Sequence, residues 1–212
     1  VGAGLWRAGG LVAGGHQPLA YPTAQDTVRI KKDGNNMDNN MVRVSIAINN
    51  HNYAQFLGAA IDSALAQTYP NLEVIVVDDG STDSSWSIIE SYGSRITALR
   101  SPNLGQGSAY NLGFERCSGQ WVLFLDSDDT LDPDAIERFL AAADDEVAIV
   151  QCRLRKIDEQ GRLLGGLVPY TMHSGDVTPI IRRFGHYAGP PASGNFYRRT
   201  VIALYFPMPA QA

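Results

Sequence analysis

Cysteine is nearly absent: Cys117 and Cys152 are the only two in 212 residues, far apart and outside any Cys-x-x-Cys spacing. That excludes a disulfide framework and a zinc ribbon, and leaves two reduced, half-buried thiols as the expectation. No apolar run reaches the ~18–20 residues of a membrane span. The Gly-rich opening "GAGLWRAGGLVAGGHQP" lacks the compact apolar centre of a secretory signal. Basic charge is scarce as well. Lys and Arg total 17 against 22 Asp and Glu, for a net charge of −5, and no dense basic patch offers itself to phosphates, which argues against a nucleic-acid partner. Arg182-Arg183 and Arg198-Arg199 are the only late basic pairs; they could meet a phosphate, but solvated pairs are the ordinary case.

What is present describes an ordinary globular chain, 44% hydrophobic and 18% charged, long enough for one sizeable α/β domain with a true core. Residues 1–40 stand apart. They are rich in Gly, Asn and Gln, include "KKDGNNMDNN" and show no sustained period. The expectation is a disordered or non-native leader, with the domain running from Met41 through 212.

From there strand and helix patterns alternate. "VRVSIAI" (42–48) is a β-branched run suited to a strand covered on both faces. Leu57, Ile61, Ala64 and Leu65 fall on one helical face, with Pro70-Asn71 as the stop. "LEVIVV" (72–77) reads as a second strand ending in "DDGSTD", where Asp83 can cap the helix "SSWSIIESYG" and Gly93 can end it. "RITALR" is a third strand. "NLGQGSAYNLGFERCSG" is a Gly-rich turn into a short helix, and "QWVLFL" a fourth strand. Asp132-Pro133 predicts a helix start with an Asp cap, its inner face lined by Ile136, Phe139, Leu140 and Ala143. "EVAIVQCRLRKI" reads as one fifth strand; beyond residue 165 the pattern loosens into loops. This succession implies a mainly parallel sheet with helices on both faces.

Ligands of open α/β sheets bind beyond the carboxyl ends of the strands, and here three strand ends carry polar clusters. The first has Asn49, Asn50, His51 and Asn52; the second Asp78 and Asp79; the fourth Asp126, Asp128 and Asp129. Turn and cap chemistry could account for the first two, since Asn and Asp are favoured in both roles, and a single His is more often structural than a ligand. The last is harder to explain that way. Crowded carboxylates after an apolar strand repel one another unless water or a cation solvates them, and Mg²⁺ or Mn²⁺ is held by one or two carboxylates plus substrate phosphates.

"FLDSDDTL" is similar to the strand-DxDxT signature of haloacid-dehalogenase phosphatases, in which Asp126 would be a nucleophile. That motif normally sits on the first strand of its domain, not after three strand-helix units. Asp129 stands where that family usually has Gly, and Lys156 is the only lysine downstream. A wider match ranks above it. "VSIAINNHN", "FLGAAIDSALAQTYPNLEVIVVDDGSTD" and "NLGQGSAYNLGFERCSGQWVLFLDSDD" together resemble family 2 glycosyltransferases of the GT-A fold, over about three quarters of the chain.

The resemblance implies a Rossmann-like GT-A sheet and an inverting, metal-dependent transfer from a nucleoside-diphosphate sugar, a UDP-sugar first, to a saccharide or lipid-linked acceptor. Glycan or polysaccharide synthesis, cytoplasmic or peripheral at the inner membrane face, is the setting it suggests. It places Asn49 and His51 beside the base, where the family often has Thr and Tyr, and Asp79 as the base acceptor with Asp78 beside it. Asn111 falls in the third block as a substrate-binding position, behind Tyr110 where the family often has Arg. Asp126 and Asp128 form the DxD pair facing ribose, sugar and metal, and Asp128 and Asp129 stand on the side of a Mn²⁺ or Mg²⁺ ion. In the family an acidic general base follows a segment like "SGNFYRRTVI" (193–202), yet no Asp or Glu occurs after Asp176. The expectation is a truncated chain that binds donor and transfers poorly, with His173, Asp176 and His186 as conceivable substitute bases. A nucleotide-sugar-binding module without transferase activity is the alternative from another class.

Overall fold

A computed structural model describes residues 27–29, 42–173, 175–184 and 188–209. Among the described residues the central sheet has seven strands, in the order β1-β6-β9-β5-β2-β3-β4. In chain order these are β1 (Thr27–Arg29), β2 (Val44–Asn50), β3 (Leu72–Asp79), β4 (Thr97–Ser101), β5 (Trp121–Asp126), β6 (Val147–Gln151) and β9 (Asn195–Arg198). β2, β3, β4 and β5 pair in parallel, as the alternation of strand and helix requires. β9 is antiparallel to both β5 and β6, and β1 to β6. Thr27–Arg29, within the stretch read as a leader, is thus an edge strand; the rest of residues 1–40 lies outside the described residues.

Helices cover both faces. α1 (Ala54–Leu65), α2 (Ser85–Ser91) and α4 (Ala135–Ala142) pack Leu57, Ile61, Ile89, Ile136 and Phe139 against Ile46, Ile48, Val74, Val76, Leu123 and Leu125. On the opposite face α3 (Gln106–Arg116) packs Ala109 and Phe114 against Ala47, Ile75, Val77, Val122 and Phe124. Odd and even positions of each strand therefore feed two separate cores, as the period of 2 dictates. Phe196 of β9 is fully buried between Trp121 and Phe139, with ring centroids 4.8 and 5.0 Å away.

Four sequence expectations change. The run 146–157 is two strands, not one: β6 ends at Gln151, the Cys152 N–H turns to the Gly194 carbonyl (2.9 Å), and β7 (Leu154–Ile157) pairs with β8 (Leu163–Val168) in a separate two-stranded sheet. Beyond residue 165 the chain is not all loop: α5 (Thr178–Phe184), β9 and α6 (Arg199–Ile202) form there, too short for their periods to be read. Asp132 does not cap α4, which begins at Ala135. Its carboxylate takes Arg155 Nη2 at 2.6 Å, and the Pro133 carbonyl accepts the Thr68 N–H at 2.9 Å. The two cysteines are free, as expected, but fully rather than half buried.

Candidate functional site

Register brings the polar strand ends together. Asn49 sits opposite Val77 on β3 and Asp126 on β5, and Asp79 opposite Ser101 on β4. Alternation then sorts them. Asn49, Asp79 and Asp126 continue the α3-side rows that begin with Ala47, Val77 and Phe124; Asn50 and Asp78 continue the opposite rows. The α3-side residues converge on a cavity of about 380 Å³, in the size range of small-ligand sites. Asn49, His51, Asp79, Asp126 and Asp128 all line it.

Asp78, Asn111 and Asp129 are not among the lining residues. Asp78 is fully buried: its carboxylate accepts the Asn50 amide (3.1 Å) and the Ser81 N–H (3.2 Å), with Arg100 Nε at 3.6 Å. Asn111 turns its amide to the Met208 backbone, donating to its carbonyl at 2.8 Å and accepting its N–H at 2.7 Å. Asp129 is 7% exposed, and its N–H closes a turn onto the Asp126 carbonyl at 3.0 Å. That four-residue turn sets Asp126 and Asp128 on the cavity wall.

Turn chemistry explains part of the first two clusters. Asn52, at φ 57°, accepts the Thr82 N–H (2.7 Å) on its side-chain oxygen and so joins the loop after β2 to the loop after β3. Asp83 stands one residue before the N-cap of α2, which is Ser84 and not Asp83 as expected; its carboxylate accepts the Ser85 N–H at 2.9 Å and the Ala54 N–H of α1 at 3.0 Å. Although its burial works the other way, these bonds hold its carboxyl below the ordinary value. His51 uses both ring nitrogens: Nδ1 lies 2.6 Å from the Asp79 carbonyl and Nε2 3.0 Å from the Asn52 amide nitrogen, which requires the Nδ1–H tautomer.

Asp79 is a clamp. One carboxylate oxygen accepts Ser101 Oγ (2.7 Å) and the Leu104 N–H (2.9 Å), and the other accepts the Gly105 N–H (2.9 Å). It thereby anchors the loop before α3, which contributes Asn103 and Gly105 to the cavity. Gly80, at φ +67°, lets that loop close in: a Cβ there would stand 2.7 Å from the Asn103 nitrogen.

Two features lack full compensation among the described residues. Both polar atoms of the Asn49 side chain are buried and without a hydrogen-bond partner of acceptable geometry, although the Tyr110 hydroxyl is a near neighbour. Burial, and then the charge of Asp128, push Asp126 up to about 6, against opposing contacts from Ser193 and Tyr110. Burial likewise raises Tyr110, with the Asp126 charge adding to it. Among the described residues, no three His, Cys, Asp or Glu side chains gather closely enough to hold a metal ion alone.

Other cavity residues escaped the sequence reading. Tyr53, Asn103, Gly105, Gln106 and Ser127 all line it. The strand-end rule, applied to β4 as it was to its neighbours, would have found Asn103 and Gly105. Ser193, fully buried and accepting the Asp126 N–H at 3.0 Å, lies 67 positions away and carries no local signal. Neither His173 nor Asp176 lines the cavity, and His186 lies outside the described residues. No described helix is long and apolar enough to cross a membrane.

Comparison with known proteins adds three findings. The family described as glycosyl transferase family 2 matches residues 45–203. An uncharacterised glycosyltransferase of Nostoc sp. is 36% identical over 79% of this chain and 54% of its own length. The chondroitin synthase of Escherichia coli is 36% identical over 62% of this chain and 20% of its own. The chain thus spans about half of the first relative and a fifth of the second. Among solved structures, a mannosyltransferase from Pyrobaculum calidifontis, in complex with GDP-Man and Mn²⁺, superposes with a TM-score of 0.58 at 18% identity, covering 82% of this chain and 49% of that one. The α/β architecture with its mainly parallel sheet is the one they share.

Proposed function

Because the chain belongs to glycosyltransferase family 2, we propose that its 380 Å³ cavity holds a nucleoside-diphosphate sugar, whose sugar it transfers to an acceptor hydroxyl. The observation that carries this reading is the pair Asp126 and Asp128 on one cavity wall, with Asp126 pushed up to about 6 by burial and by its neighbour's charge. A carboxylate so destabilised gains from a cation beside it.

The donor set fits Mn²⁺ or Mg²⁺. It is all oxygen, it opens on a cavity, and it offers two carboxylates rather than a closed cage, leaving positions for phosphate and water. Asp128 and Asp126 would hold the ion, with Asp129 closing the turn that presents them. When bound, the ion supplies charge neutralisation for the departing diphosphate. Asn49 and His51 line the part of the cavity that would take the nucleotide base. Asp79 acts on the same pocket mainly through the loop it clamps, since its oxygens already take three donors. The acceptor hydroxyl would attack the anomeric carbon from the face opposite the diphosphate, giving up its proton to a general base as the bond to the diphosphate breaks, which inverts configuration and needs no covalent enzyme intermediate. A polysaccharide or envelope glycan as acceptor is supported by the resemblance to chondroitin synthase.

Calorimetric titration with UDP- and GDP-sugars, with and without Mn²⁺, tests the reading. Asp128→Asn keeps the side-chain shape and removes a charge, so Mn²⁺-dependent donor affinity should fall by about tenfold or more (~1.4 kcal/mol), with the melting temperature unchanged. Parent-like binding in Mn²⁺ would refute the assignment.

A further inference from the structure

A second cavity, of about 430 Å³, shares no lining residue with the first. Asn111, Phe114 and Glu115 of α3 form one side; Arg199, Ala203 and Phe206 form the other. Its floor is aromatic: the Phe114 and Phe206 rings stack with centroids 4.1 Å apart and an interplanar angle of 22°. The Arg199 guanidinium stands 5.4 Å above the Phe114 ring, within cation–π range. Its Nε is buried and has no hydrogen-bond partner among the described residues. The backbone beneath is fixed, since the Arg199 N–H donates to the Gln120 carbonyl at 2.8 Å.

The polar resources left for a guest are few. The Asn111 amide is held in place by two bonds to Met208. That leaves the unused face of a guanidinium at one end, apolar rings below, and the exposed carboxylate of Glu115 at the rim. A buried Nε–H asks for an acceptor, and the planar guanidinium edge matches a carboxylate with two parallel bonds. Glu115 repels a second negative charge, which disfavours a diphosphate. The rings and Ala203 ask for a hydrocarbon body, and the volume suits a small organic molecule.

We propose that this cavity binds a monocarboxylate with an aromatic or aliphatic body, its carboxylate on Arg199 and its body on Phe114 and Phe206. The proposal does not depend on the donor reading and stands or falls separately from it.

The test titrates the 212-residue chain with phenylacetate, its neutral isostere phenylacetamide, and inorganic phosphate, followed by backbone-amide NMR shifts. Phenylacetate should saturate with a Kd on the order of 1 mM, as a small fragment would. Its affinity should fall about tenfold in Arg199→Met (~1.4 kcal/mol), and phenylacetamide should bind the parent about as weakly. Ala203→Leu fills the cavity without touching the guanidinium, so it should abolish the same shifts while UDP binding in the other cavity persists. Should Arg199→Met fail to fold, Ala203→Leu and the amide isostere decide the matter. The proposal is overturned if phenylacetate does not saturate, if it binds both variants like the parent, or if phosphate binds as well as phenylacetate.

Discussion

Replacing Asp79 tests whether the loop before α3 depends on one carboxylate. Asp79 is 4% exposed and accepts three hydrogen bonds, from Ser101 Oγ and from the Leu104 and Gly105 N–H groups. Bonds to a charged acceptor each contribute about 1.5–3 kcal/mol net. In Asp79→Ala the Leu104 and Gly105 groups can turn to water because that loop is partly exposed, whereas the Ser101 hydroxyl remains buried. A loss of about 3 kcal/mol follows, less than the sum of three full bonds. For a chain of this length that lowers Tm by about 6–12 °C. Asp79→Asn separates the bonds: its carbonyl oxygen keeps Ser101 and Leu104, while its amide NH₂ faces the Gly105 N–H donor to donor. Its cost should be intermediate, about 1–2 kcal/mol. Urea denaturation measures both, and UDP titration in EDTA should show affinity falling in the same order, since Asn103 and Gly105 lose their anchor. A loss below about 1 kcal/mol in Asp79→Ala, or nucleotide binding that weakens only when Mn²⁺ is present, would refute the clamp.

Glu73 supplies a pH test. Burial pushes its carboxyl up, but bonds from Ser45 Oγ (2.6 Å), the Ser118 N–H (2.7 Å) and Ser118 Oγ (2.9 Å), with Arg43, hold it below its ordinary 4.5. A folded value below the unfolded one gives stability that is present above 4.5 and lost as pH falls through the folded value. The gap in stability between the parent and Glu73→Gln should therefore shrink from pH ~7 to pH ~3; a gap independent of pH would contradict the assignment. Two glycines should respond oppositely to alanine. At Gly119 a Cβ would lie 2.6 Å from the Ser45 nitrogen and 2.8 Å from the Arg43 carbonyl, both backbone atoms, and Gly119→Ala should cost about 2–3 kcal/mol. At Gly58, inside α1, the nearest atom is the Tyr92 hydroxyl at 3.8 Å, and Gly58→Ala should stabilise by about 0.5–1 kcal/mol in the same urea assay.

The parallel core was legible in the amino-acid pattern alone. Apolar runs at 42–48, 72–77 and 120–125 were long enough to read, and each ended in polar residues on the same side of the sheet. Their local patterns are strong because both faces of those strands are buried. Tertiary structure alone decided that Asp79 and not Asp78 lines the cavity, and that Asn49 and Asn50 leave β2 on opposite faces although both line it. Asp78 and Asp79, or Asn49 and Asn50, are alike in composition. Alternation sends one to the α3 face and the other to the face of α1 and α2, and only the strand register places Asn49 next to Asp126. Asn111 shows the same limit, for it lies in the expected block but turns to Met208, 97 positions on. β9 was illegible for a different reason. Four residues carry too little period to register as a strand, and its place between β5 and β6 rests on Phe196 filling the gap between Trp121 and Phe139, contacts that no local stretch of sequence encodes.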